Sequence, residues 1–241
     1  MNERLTQLTG RFTGEIGMAL FPIEIVHIQN LERAREHLKN GSLLVYANHF
    51  DRFDTLVYGK ALKYYFPLDH LSVLTALKYM DPNRNKEHKM AGLVLRLLSS
   101  GYGFQRLRVV QDLDEEKKQY PNFNEINRKT FLQTVRLLKT PGNIVIIAPE
   151  GTRSNDGGLL EGKESFETLL KTGGEKVLAL PLAAVPPIRS LHRTRVFVGQ
   201  PFTYAEIKSE SEREGKSVTE LAMLRIANLL PEQNRGFYRQ I

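Results

Sequence analysis

A histidine and an aspartate stand five positions apart in the stretch LLVYANHFDRFDTLVYG, residues 43–59. Imidazole, with an ordinary pKa of about 6.5, is the side chain best suited to take a proton from a hydroxyl at neutral pH. A carboxylate on the far ring nitrogen would fix the tautomer and stabilise the imidazolium, and Asp54 is spaced to fold back onto His49 in that way. The alternative is plain: Asp51 or Asp54 caps the helix that follows, and His49 is an ordinary hydrogen-bonded loop residue. A metal would need further ligands at suitable spacing. No second histidine or carboxylate cluster accompanies the pair, so no metal is expected.

A second loop, APEGTRS at 148–154, holds groups suited to an anion. Gly151 permits close backbone approach, Thr152 and free N–H groups can donate, and Arg153 offers a planar fork for phosphate or carboxylate. A Glu-Gly turn with a surface ion pair would look the same. In GYGFQRLR, 101–108, Arg106 and Arg108 share one face if the segment is a strand; ordinarily that is an exposed basic face.

Both loops follow apolar, β-rich runs. Such runs recur at 23–28, 42–47, 71–76, 143–149, 177–185 and 194–199, with helix-period segments at 31–39, 54–66, 88–99, 126–139, 160–171 and 217–230. Continuous apolar strands alternating with helices predict an α/β fold, a mostly parallel central sheet covered on both faces. Sites in such sheets lie beyond the carboxyl ends of the strands, where NHFDRFD and EGTRSNDGG both fall. The stretch 111–125 reads as an exposed loop and DLDEEKK (112–118) as solvated charge. We expect one domain over 1–241, with its motif core at 42–200, an N-terminal helix/strand region at 1–41 and a helical region at 201–241.

The 241 residues carry a net charge of +7 and no cysteine. That excludes disulfides, thiolate metal sites and a cysteine nucleophile, and the charge favours an anionic partner. The N-terminal MNERLTQLTG is polar, unlike a secretory leader, and no apolar run reaches the ~18–20 residues of a membrane span. Basic residues concentrate at 78–108, with seven Lys/Arg against two acids, and at 186–195, with three arginines and no acid. There is no tryptophan and no aromatic-basic signature of a nucleic-acid module, so nucleic acid is not an expected partner.

In order, NHFDRFD, GYGFQR, PEGTRS and VLALPLAA, from residue 48 to about 185, resemble the glycerophospholipid acyltransferase family. His-x4-Asp alone is nonspecific; its pairing with a later PEGTRS is specific. The resemblance implies that His49 is the base activating an acceptor hydroxyl against an acyl thioester and that Asp54 is its charge partner. It implies that Arg106, Glu150, Gly151, Thr152 and Arg153 attend the acceptor's phosphate, and it assigns Pro181 to fold and donor environment. This chain has Asp51 where serine is common and Ala148 where phenylalanine is common. Leu107 stands where the family usually has its second-block arginine, so Arg106 and Arg108 share the claim to that role.

The function implied is transfer of a fatty acyl chain from acyl-CoA or acyl carrier protein to a glycerol-phosphate lipid of the 1-acylglycerol 3-phosphate type, with no cofactor beyond the thioester co-substrate. Lysophospholipid or glycerol phosphate would be the acceptor, and acyl carrier protein a candidate partner. Another lysolipid or lipid alcohol as acceptor is an alternative within the family; a non-catalytic basic lipid- or nucleic-acid-binding domain is one outside it. The basic stretches beside apolar residues (Met90, Leu93, Val94, Leu97, Leu98; Val185, Pro186, Pro187, Ile188, Leu191) suggest a cytoplasmic enzyme docked on an anionic membrane surface. Equally, those apolar residues could face the core and the charges be merely solvated.

Overall fold

Alternation along the strand Ser42–Ala47 (β2) sets the architecture, because all six of its residues are buried. Leu44 and Tyr46 point into one apolar cluster and Leu43, Val45 and Ala47 into another. Side chains of a strand alternate between faces, so a strand buried on both must be covered by helices on both. The computed structural model describes residues 22–50, 54–67, 70–76, 92–93, 104–111, 113–154, 156–185 and 193–240.

The remaining strands are Ile23–Val26 (β1), Leu71–Ala76 (β3), Gln105–Val109 (β4), Ile144–Ile147 (β5), Val177–Val185 (β6), Thr194–Val198 (β7) and Phe202–Thr203 (β8). They form one sheet in the order β1-β7-β6-β2-β5-β3-β4, with β8 pairing β6 off that path. β2 runs parallel to both neighbours, Leu43 opposite Ile144 on β5 and opposite Leu178 on β6. Among the described residues, only the pairings of β6 with β7 and β8 are antiparallel. The expected mostly parallel α/β sheet is the fold observed.

Helices Gln29–Leu38 (α1) and Asp54–Lys63 (α2) cover one face, burying Leu31, Ala34, Val57, Tyr58 and Leu62 against Leu43 and Val45. Among the other helices, Phe123–Leu138 (α4), Ser165–Gly173 (α5), Tyr204–Glu214 (α6) and Val218–Ala227 (α7) cover the opposite face. A short helix, Asp114–Gln119 (α3), precedes them. The stretch expected to be a loop at 111–125 therefore holds α3 and the start of α4. Its acids are not all solvated either: Glu116 is buried and accepts the Gln111 N–H at 3.1 Å.

α6 falls in the helical region expected at 201–241 but outside the helix-period segments, although TYAE at 203–206 carries its signal. The Thr203 side chain accepts the Glu206 N–H while the Glu206 carboxylate accepts the Thr203 N–H at 2.6 Å, a capping box. Most of the expected helix 88–99, and most of the basic stretches 78–108 and 186–195, lie outside the described residues.

Pro181 sits inside β6, an uncommon place for proline in a central strand. It falls in the break between the β8 pairing, at Leu178 and Ala179, and the β7 pairing, which begins at Leu182. Its carbonyl still accepts the Gly199 N–H at 2.9 Å. A Cβ on Gly199 would come within 2.6 Å of the proline ring, so only glycine allows that approach.

Leu44, fully buried on the central strand, gives the sharpest test of this core. Leu44→Ala should destabilise the protein by about 2–5 kcal/mol, measured by urea unfolding. A loss well under 1 kcal/mol would contradict the packing described.

Candidate active site

β2 delivers its last residues to the carboxyl-end edge of the sheet, where the backbone must leave the ladder. Asn48 extends that ladder by one rung with its side chain. Its amide nitrogen donates to the Ala184 carbonyl at 3.1 Å and its amide oxygen accepts the Ala184 N–H at 2.9 Å, as a peptide group would. The Tyr58 hydroxyl lies 2.7 Å from that same oxygen and 3.0 Å from the Asn48 carbonyl. Burial, with the negative charges of Asp54 and Glu150 added, holds the Tyr58 phenol well above its ordinary pKa, so it stays a donor.

The imidazole of His49 meets Asp54 through Nδ1 and Oδ2. Asp54 opens α2 and is 7% exposed; the first turn of a helix favours negative charge. An ionised carboxylate can only accept, so Nδ1 carries the hydrogen and Nε2 keeps a lone pair. Spacing did the rest: Asp54 and Tyr58 are one helical turn apart and face the same way.

The second loop reaches the same place by a different group. Glu150 is 2% exposed. One oxygen accepts the backbone N–H of His49 and the other that of Leu160, both at 2.8 Å. Its carboxyl therefore meets backbone, not the open crevice where a phosphate contact was expected. Burial pushes its pKa up to about 7, against those two hydrogen bonds and the neighbouring imidazole, which pull it down.

Gly151 takes a φ of +71°, closing a turn in which its N–H donates to the Ala148 carbonyl at 3.0 Å. A side chain there would be strained by φ and would press on Lys163, whose Cε would lie 3.0 Å from a Cβ. Gln111 braces the turn, donating from its side chain to the Gly151 carbonyl at 3.1 Å. Thr152 and Arg153 are half-buried in the loop that follows.

Arg106 is placed elsewhere. It lies on β4, an edge strand among the described ones, opposite Val73 of β3. Three strand spacings separate β4 from β2, roughly 14 Å across the sheet. The fold thus unites His49, Asp54 and Glu150 and sets Gly151 beside them, while Arg106 and Arg108 stand to one side. Sequence reasoning gave no site role to Asn48, Tyr58, Gln111 or Leu160. The 54/58 spacing was a visible signal for Tyr58; the long-range partners Ala184 and Leu160 left none.

Two cavities adjoin here. A small one of about 60 Å³ is lined by His49, Asp54, Asn48, Tyr58 and Val73, among others. A larger one of about 590 Å³ is lined by Val109, Phe131, Phe166 and Leu169, with Lys117, Arg128 and Lys163 also on its wall. Leu74, Ile147 and Ala148 line both. Among the described residues no group of three or more His, Asp or Glu could hold a metal ion, and no helix is long and apolar enough to cross a membrane.

The high pKa of Glu150 has a consequence for stability. A carboxyl that holds its proton to about 7 when folded, against an ordinary 4.5, favours folding fully below about 4.5. That advantage is lost as pH rises through about 7, with a ceiling of about 3 kcal/mol. Urea unfolding across this window should show wild-type stability falling with pH more steeply than that of Glu150→Gln. Equal slopes would contradict the buried carboxyl.

Comparison with known proteins fits this geometry. No curated protein matches the chain in sequence. Among solved structures the chain is similar to the 1-acyl-sn-glycerophosphate (LPA) acyltransferase, PlsC, from Thermotoga maritima. The two share 15% sequence identity with a TM-score of 0.50, over 94% of this chain and 79% of that one; at that identity the likeness speaks for the fold. The family model Acyltransferase matches residues 25–185. That span is well over half of the chain, and it holds His49, Asp54 and the PEGTRS loop: the protein belongs to the acyltransferase family and is an enzyme that transfers acyl groups.

Proposed function

We propose that the enzyme moves a fatty acyl chain from a thioester donor to the free hydroxyl of a 1-acylglycerol 3-phosphate, with His49 as general base. The observation that carries this reading is the His49–Asp54 pair at the end of the central strand, beside an apolar cavity large enough for a ligand tail. The PlsC likeness supports the choice of acceptor.

The steps use this chain's own groups. Nε2 takes the acceptor's hydroxyl proton as its oxygen attacks the thioester carbonyl carbon. Asp54 stabilises the imidazolium so formed. The tetrahedral intermediate collapses, the carbon–sulfur bond breaks, and the imidazolium returns the proton to the leaving thiolate. An ester and a thiol result, with no acyl group ever on the protein, which has no cysteine.

In this reading the donor's acyl chain lies in the larger cavity, supported by its apolar lining from Phe131, Phe166 and Leu169. Thr152 and Arg153 bind the acceptor's phosphate, Arg153 through a charge-assisted fork. The position of Arg106 on the edge strand makes it a lesser contributor. The acceptor lipid is taken from an anionic membrane surface, consistent with the net charge of +7.

A labelled panel of lysolipids and lipid alcohols, offered with acyl-CoA or acyl carrier protein thioester, should yield product chiefly from 1-acylglycerol 3-phosphate. Arg153→Ala should raise the acceptor KM by roughly 10–100-fold, the worth of one hydrogen bond to a charged group, and leave the donor KM unchanged. Preference for an acceptor without phosphate, or equal effects on both KM values, would contradict this assignment.

A further inference from the structure

Resting on His49 as the proton acceptor, we propose that Glu150 is a positioning residue for acyl transfer: its buried carboxylate fastens the His49 backbone to the loop at Leu160 and does not touch substrate. The phosphate-binding role that the sequence suggested for it is thereby replaced. The two oxygens accept one N–H each, at 2.8 Å, in a position 2% exposed.

Both ends of the clasp are anchored. On the His49 side, Asn48 is held to Ala184 at 2.9 and 3.1 Å, so the peptide leading into His49 is fixed just ahead of the bond to Glu150. On the Leu160 side, the C-terminal segment grips the loop. The Leu159 N–H donates to the Asn234 carbonyl at 3.2 Å, and the Leu159 carbonyl accepts the Phe237 N–H at 2.9 Å. The Gly162 N–H donates to the Tyr238 hydroxyl at 3.0 Å. A Cβ on Gly236 would come within 2.2 Å of the Leu159 oxygen, so the approach depends on glycine.

With Nδ1 tied to Asp54, the place of Nε2 follows from where the His49 backbone sits, and Glu150 sets that. An ionised carboxylate can accept on both oxygens. Glutamine cannot, since its NH₂ would oppose one of the two N–H donors. A protonated carboxyl likewise loses one acceptor, so the clasp is complete only in its ionised form. The charged and titratable groups around it are His49 and Asp54, with Tyr58 from α2 and Tyr238 from the C-terminal segment feeling its charge.

The test begins with Glu150→Gln in the full chain, assayed with 1-acylglycerol 3-phosphate and an acyl-CoA. The expected result is a fall in kcat of about 10²-fold, the order produced by a small misplacement of a reacting group, with both KM values essentially unchanged and partial recovery in Glu150→Asp. A raised acceptor KM with kcat retained would make Glu150 a substrate contact and overturn the proposal. A lowered melting temperature with wild-type kcat would make it purely structural and overturn it too. A second measurement depends neither on Glu150→Gln folding nor on the right substrate. In ¹⁵N NMR spectra of the wild type, the His49 and Leu160 backbone amides should shift together with one midpoint at about 7, and in His49→Ala, which keeps the N–H at that position, they should still share one midpoint, raised by loss of the neighbouring imidazole. Independent titrations, or none at Leu160, would overturn the clasp even if acyl transfer is confirmed.

Discussion

A backbone leaving the middle of a parallel sheet carries N–H and C=O groups out of the ladder while still buried, as at Asn48. Each must find a partner or cost a few kcal/mol. At Asn48 and His49 the partners come from far along the chain: Ala184, Tyr58 and Glu150. Satisfying those groups gathers the ends of β2, β5 and β6 and the start of α2 at one point. The imidazole stands there because the backbone beneath it has been pinned from three directions.

The electrostatics of this point are costly. Two carboxylates, Asp54 and Glu150, are both buried close to one imidazole. The imidazole and two backbone N–H groups offset part of the desolvation of Glu150, yet burial still leaves its pKa at about 7. The ionised site is therefore less favourable to folding than the protonated one, as expected where local stability and activity compete. The buried apolar faces of the helices on both sides of the sheet supply the stability that tolerates it.

Much of this was readable in the residues themselves. Runs such as SLLVYA and VLALPLAAV have no polar face, so they had to be strands buried on both sides, and they are β2 and β6. His49 and Asp54 are close in sequence, and a strand-to-helix turn could join them only in a few ways. The helix α3 was missed because DEEKKQ has no apolar period; it folds around a buried Glu116 whose partner lies back at Gln111. The buried place of Glu150 was not legible for a related reason. A carboxylate in a loop next to arginine reads as a surface or ligand-facing charge, and nothing local reveals that two distant N–H groups will claim it.

In the proposed mechanism His49 removes the acceptor's proton in a single direct transfer. Its most direct test is thiol release by His49→Ala given acyl-CoA and 1-acylglycerol 3-phosphate, with circular dichroism confirming the fold and intact mass tracking the protein. Turnover should fall by about 10²–10⁴-fold, with KM values little changed and no acyl group attached to wild type or variant at any time. A folded variant that turns over near the wild-type rate, or an acyl adduct on the wild-type protein, would contradict it.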